Sequence, residues 1–185
     1  MKHLFTIIIL TVLLLSCTSK KEQNPFLINK QNVGLLTDST QVKDLKLVFA
    51  KDSIVKASIK GDEFTGQNTD IDIYSSTGEK LLSLTPSQAL DSTSVIESVR
   101  ILSESYKTAN NISTLSTFKD IKEAYEISSI NNLINSIVIS VNEINTSFTI
   151  DKKELPANLR FDMTLKIDPV QIPDTAKIKY FIIVW

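Results

Sequence analysis

The chain has 185 residues, 42% of them hydrophobic, and 20 Lys and Arg against 21 Asp and Glu leave a net charge of −1. That balance lacks the basic footprint of a nucleic-acid-binding protein, and the length fits one domain of ordinary size or two small halves sharing a core. The only histidine, His3, and the only cysteine, Cys17, both stand near the amino terminus, so residues 18–185 can build no Ser-His-Asp or Cys-His pair, no His or Cys zinc site and no histidine-ligated haem.

From Leu4 to Leu15 the chain carries no charge, with Lys2 and His3 ahead of it and Ser16-Cys17-Thr18-Ser19 behind. A basic start, a short apolar run and small residues form the pattern of a secretory signal. The run is too short to span a bilayer, because twelve helical residues reach only about 18 Å. Leu14-Leu15-Ser16-Cys17 resembles the lipobox of bacterial lipoproteins, with an aliphatic residue at −3, a small one at −1 and the cysteine; Leu15 at −2 is larger than usual there. The resemblance implies transfer of diacylglycerol to the Cys17 sulfur, cleavage before Cys17 and acylation of the new amino terminus. Several acyl chains together hold a protein on a membrane where one binds weakly. An ordinary secretory signal followed by a chance cysteine is the alternative. Cleavage would remove Lys2 and no acidic residue, giving a mature net charge of about −2, and with Cys17 acylated no disulfide can form.

Residues 17–27 then read as the acylated cysteine and a polar tether, ending near Pro25. Beyond it a pattern occurs twice. "STQVKDLKLVF", residues 39–49, aligns with "LSTFKDIKEAY", residues 115–125, at an offset of 76: Lys43, Asp44 and Lys46 meet Lys119, Asp120 and Lys122, and the apolar positions coincide. Apolar residues at i, i+3, i+6 and i+7 predict one helical face, with Ser or Thr as N-cap. Thr117 to Asp120 approximates a capping box. At the same offset Gly34 meets Asn110, the two residue types that most readily adopt a left-handed turn.

Strands are predicted after each helix. "IVKASIK" and "DIDIY" alternate apolar and polar residues, "SSTGEK" turns around Gly78 into "LLSL", and "VIESVRIL" closes the first half. In the second half "NSIVISV" and "TSFTI" flank the turn "NEIN", "FDMTLKI" alternates Phe161, Met163, Leu165 and Ile167 with polar residues, and "AKIKYFIIVW" is the most apolar strand, expected to be buried and central. The expected fold is α+β: one compact domain of two related halves, residues 28–103 and 104–185, each a short helical segment followed by about four antiparallel strands. A Gly-turn-[Ser/Thr]-helix unit with antiparallel strands, used twice, resembles the tandem repeat of the β-lactamase inhibitor protein family. The single unit resembles the small lipoprotein of the outer-membrane β-barrel assembly machinery. The residues that carry this are Gly34 with Ser39 to Phe49, and Asn110 with Ser116 to Tyr125. The family glycine close before the Ser/Thr is absent from both copies, and no functional residue carries over.

Few positions suggest chemistry. Gly34, Gly61, Gly66 and Gly78 are scattered and form no phosphate loop. Asp70 and Asp72 form a D-x-D pair of the oxygen type that hard cations prefer, but on one face of a strand they read as a solvated sheet face. Asp62-Glu63 and Lys152-Lys153-Glu154 fall in expected loops with no special role. Ser39, Ser53, Ser92 and Thr175 follow aspartates in short motifs that resemble periplasmic O-glycosylation acceptors and equally suit turns. Phe49, Tyr125, Phe148, Phe161, Phe181 and Trp185 are expected in the core, whereas Phe64, in the polar loop "KGDEFTGQNTD", is a candidate contact. The expectation is therefore a non-enzymatic envelope lipoprotein. It would have lipidation at Cys17, a possible contact at Phe64, no catalytic residue, metal or cofactor, a membrane held through the lipid and a protein partner in the envelope, on the periplasmic side of the outer membrane. The alternative is an inhibitor of an envelope hydrolase.

Overall fold

The computed structural model describes residues 24–50, 52–56 and 70–185. Cys17, the signal segment, Phe64 and the end of "IVKASIK" lie outside the described residues. The first elements are short strands β1 (Leu27–Asn29), β2 (Asn32–Val33) and β3 (Leu36–Thr37), then a 3-10 turn at Val42–Asp44 that runs into the one-turn helix α1 (Leu45–Val48). Strands β4 (Ser53–Lys56), β5 (Ile71–Tyr74), β6 (Lys80–Pro86), β7 (Ile96–Ile101) and β8 (Lys107–Thr108) follow, then helix α2 (Phe118–Ala124). The chain ends with β9 (Ser129–Asn132), β10 (Ser136–Val141), β11 (Thr146–Asp151) and β12 (Ile178–Val184). The fold is mixed, with two sheets and few helices.

The larger sheet has eight strands in the order β4-β5-β6-β7-β12-β11-β10-β9, every neighbouring pair antiparallel. Period-two alternation sets its two faces. Register places Ile73, Leu82, Ile101, Phe181, Phe148 and Ile139 in one row across the sheet, all of them buried. The Phe148 and Phe181 rings meet at 4.8 Å between centroids. Burial of side chains of this size contributes roughly 1.5–3 kcal/mol each, so the row ties β5 to β10 into one core. Phe118 and Ile121 of α2, and Leu45 of α1 with Phe49 just after it, join that core. The opposite row runs Asp72, Ser83, Arg100, Ile182, Ser147 and Ser140, with Arg100 exposed and Ile182, Ser147 and Ser140 half-buried. Strand β12 is central, as expected, but only its Phe181 face is buried, and Tyr180 and Val184 on the other are exposed.

The smaller sheet, in the order β3-β2-β1-β8, was not anticipated from the sequence. Its β1–β8 pair is parallel and carries residues 107–108 back to the start of the domain. At its turn Gly34 has φ +58, and an added Cβ would stand 2.1 Å from the Pro25 carbonyl oxygen. The matching left-handed residue is Asn111, with φ 63, not the expected Asn110. The Asn110 amide instead donates to the Ala124 carbonyl at 2.8 Å and so closes the end of α2.

Other expectations also change. The helical run at 39–49 shrinks to a 3-10 turn and one α turn, whereas α2 forms with the expected capping box between Thr117 and Asp120, the Asp120 carboxylate accepting the Thr117 backbone N–H at 2.7 Å. "FDMTLKI" is not a strand. The Asp162 carboxylate accepts the amide and hydroxyl of Thr164 at 2.8 and 2.6 Å, and such local bonding competes with a β ladder. Residues 161–166 are exposed, Phe161 at 87%, and only Ile167 of the alternating set is buried. The fourth strand of that region is β9, whose sequence Ser-Ile-Asn-Asn gave no strand signal. Phe49, Tyr125, Phe148 and Phe181 are core and Trp185 is half-buried, so Phe161 alone departs from that group. Ser39, Ser92 and Thr175 stand exposed in turns. No helix among the described residues is long and apolar enough to cross a membrane.

Candidate binding cavity at the end of β11

Of the two positions singled out as sites from the sequence, Cys17 and Phe64, neither falls within the described residues. The D-x-D pair does. Asp72 is not solvated: it is buried, accepts the Ser83 hydroxyl at 2.7 Å and pairs with Lys80 at 2.6 Å. Asp70 accepts Thr85 at 2.9 Å. Both carboxylates are therefore committed to cross-strand partners, and no metal-ligating cluster occurs among the described residues.

The residues that do converge belong to the "DKKE" stretch at the end of β11. Thr146, Phe148 and Ile150 are buried on alternate positions, and one further step brings Lys152 to the same side. Asp151 ends the strand and caps the 3-10 turn Lys152–Glu154 by accepting the Lys153 backbone N–H at 3.0 Å. The Lys152 backbone N–H donates to the Asn135 carbonyl at 3.0 Å, which ties the turn to the β9–β10 connection. Arg160 reaches back to the same turn, donating from Nε to the Leu155 carbonyl at 2.7 Å and from its guanidinium to the Lys153 carbonyl at 3.0 Å. These bonds satisfy carbonyls that a short helical turn leaves free.

This frame forms one wall of an open cavity of about 650 Å³ lined by Ile134, Asn135, Asp151, Lys152, Lys153, Arg160, Phe161, Met163 and Lys179. Four of these side chains are cationic and one, Asp151, is anionic. Lys179 contacts Asp151 at 3.0 Å and Lys153 does so at 3.7 Å. The Lys153 backbone N–H and the Lys179 ammonium hold the Asp151 carboxyl below its usual pKa, and the Asp151 bond raises that of Lys179. Asp151 thus stays ionised and occupied, a poor proton donor and a weak base.

Lys152 differs from the other cations. It is only 4% exposed, and its Nζ has no hydrogen-bond partner among the described residues. Nearby Asp162 is held below the usual carboxyl pKa chiefly by its bonds to Thr164, with the Lys152 charge a smaller cause. A buried ammonium without a partner is costly. Beside it the rim is apolar and open: Ile134 is 71% and Met163 53% exposed, close to Phe161. Asn132 fixes this rim, its Nδ2 donating to the Asp162 and Leu165 carbonyls at 3.0 Å each. Sequence reading missed the cavity because Lys152-Lys153-Glu154 was read as a loop with no special role. The available signal was the buried parity of β11 carried on to Lys152.

No protein-family model and no curated protein matches the chain. Among solved structures, the chain is similar to the crystal structure of the uncharacterised protein YfeY from Escherichia coli. The two share 12% identity with a TM-score of 0.58, over 85% of this chain and 99% of that one. At that identity the likeness is one of fold.

Proposed function

We propose that this protein is an envelope lipoprotein, acylated at Cys17 and held at the periplasmic side of the outer membrane, whose domain binds a ligand or partner and does not catalyse. The observation that carries the binding role is the cavity at the end of β11. Its lining combines cations with exposed apolar side chains, and its one carboxylate is locked by its neighbours. The anchor rests on Leu14-Leu15-Ser16-Cys17. The test is to crosslink the protein in intact cells and compare what it captures with a soluble Cys17→Ala form. A partner captured only by the anchored form supports the reading, and capture by both forms alike opposes an anchor-dependent role.

We also read residues 28–103 and 104–185 as related halves. The support is a shared set of backbone bonds. Val42 and Lys43 donate to the carbonyls of Ser94 and Ser92, ahead of β7, and Phe118 and Lys119 donate in the same way to Ala176 and Asp174, ahead of β12. The Thr37 N–H to Thr40 hydroxyl bond has its counterpart in Ser113 and Ser116, 76 residues on. Each helix is followed by a four-strand run, and the runs meet at β7 and β12.

A second reading, inhibition of an envelope hydrolase, has its own support in the face of the large sheet opposite the core. Arg100 lies over the Tyr180 ring at 4.9 Å, with Val184 exposed on the same strand as Tyr180. An inhibitor would act at stoichiometric dose as a soluble domain and lose potency on Tyr180→Ala, whereas the scaffold reading requires Cys17.

A further inference from the structure

We infer that the cavity at the end of β11 binds an anionic amphiphile, a phosphate or carboxylate head on an alkyl chain, with the head on Lys152 Nζ and the chain over Phe161, Met163 and Ile134. This rests on the binding role proposed above and names its ligand class.

Four features carry it. Lys152 supplies a buried ammonium with no hydrogen-bond partner among the described residues, while Lys153 and Lys179 contact Asp151 and Arg160 serves backbone carbonyls. A charge withdrawn from water without a hydrogen bond, sensed by the nearby Asp162 carboxylate but not bonded to it, is stabilised further by an opposite charge brought to it, and a charge-assisted bond of this kind is among the stronger ones. Cations outnumber the one anion in the lining four to one, so the surroundings select an anion. The neighbouring rim exposes Phe161, Ile134 and Met163, which an inorganic ion would leave in water and an alkyl chain would cover. A volume of about 650 Å³ lies within the range that holds small ligands. Lys152 Nζ is sealed from solvent in this state. Phe161 and Met163, both exposed, line the side through which a head group would enter.

The chain, purified as the cell makes it in phosphatidylcholine nanodiscs, is titrated calorimetrically with octyl phosphate, inorganic phosphate and octanol, with empty nanodiscs as the blank. Octyl phosphate should bind saturably at one site, inorganic phosphate about tenfold or more weakly, and octanol not at all. Lys152→Met should weaken octyl phosphate by about tenfold to a hundredfold with no loss of thermal stability, while Lys46→Met, at an exposed lysine of α1 that does not line the cavity, changes it by less than about threefold. Phe161→Ser should weaken octyl phosphate and leave inorganic phosphate unchanged. Equal affinity for inorganic phosphate would replace the amphiphile with a free anion and overturn the inference. Full binding by Lys152→Met, a Lys152→Met protein that is destabilised, or no saturable binding would each overturn it as well. An unacylated Cys17 would undo the anchoring proposal and leave these titrations unchanged.

Discussion

Three residues show most directly how local chemistry sets behaviour. Lys152 is a buried cation in the 3-10 turn that follows β11, and replacing a buried charge without a hydrogen-bond partner with an apolar side chain of similar length removes a desolvation cost. Lys152→Met should therefore raise the unfolding free energy of the ligand-free protein by about 1–3 kcal/mol, read from denaturant midpoints. Gly34 acts through the backbone. At φ +58, with the Pro25 carbonyl oxygen 2.1 Å from where a Cβ would sit, Gly34→Ala combines left-handed strain with a clash against main chain and should cost about 2 kcal/mol or more. Tyr106, stacked edge-on to Phe26 at 5.2 Å, has its pKa raised from 10.0 to about 12 by burial first and then by the Asp52 charge. The unfolded chain releases that proton first, so the stability contributed by neutral Tyr106 is fully present below pH 10 and is lost as the pH climbs towards 12. Tyr106→Phe should flatten this alkaline decline in a pH series of thermal midpoints.

Among the elements, legibility followed one-sided burial. Ile137, Ile139 and Val141 in β10 alternate with half-buried neighbours, and Phe148 and Ile150 in β11 alternate with polar ones, because one face packs on the core, and their strands could be read directly. The same alternation in "FDMTLKI" misled, since it encodes no competitor. Asp162 folds onto Thr164, and the Asn132 side chain takes two carbonyls of the segment. Strand β9 was illegible because an edge strand paired only to β10 needs little apolar content. The cavity lay on this illegible ground: Phe161 and Met163 looked like one face of a strand and are exposed, and Lys152, in a turn as expected, is buried. The Asn132 clamp is testable. Asn132→Ala should speed hydrogen exchange in residues 161–166 and lower stability by about 1–2 kcal/mol for two lost bonds, and unchanged exchange there would mean that the rim is held by other contacts.

The molecule as a whole joins an amino-terminal segment, proposed above to be acylated at Cys17, to a domain whose cavity appears only on folding. Strands β7 and β12, the last of the two four-strand runs, join them into one sheet, and the core row crosses that junction through Ile101 and Phe181. The cavity sits at the end of β11, beside this shared core, where a buried lysine and an exposed apolar rim meet. Anchoring at a membrane would keep such a site close to a source of amphiphiles, which links the two ends of the chain functionally. The most direct measurement is native mass spectrometry of the wild-type protein and the Lys152→Met variant, each extracted from membranes. The account predicts an acylated mature chain beginning at Cys17 in both, with a noncovalent anionic amphiphile retained by the wild type and lost from the variant. The same adduct on both proteins, or none on either, would contradict it.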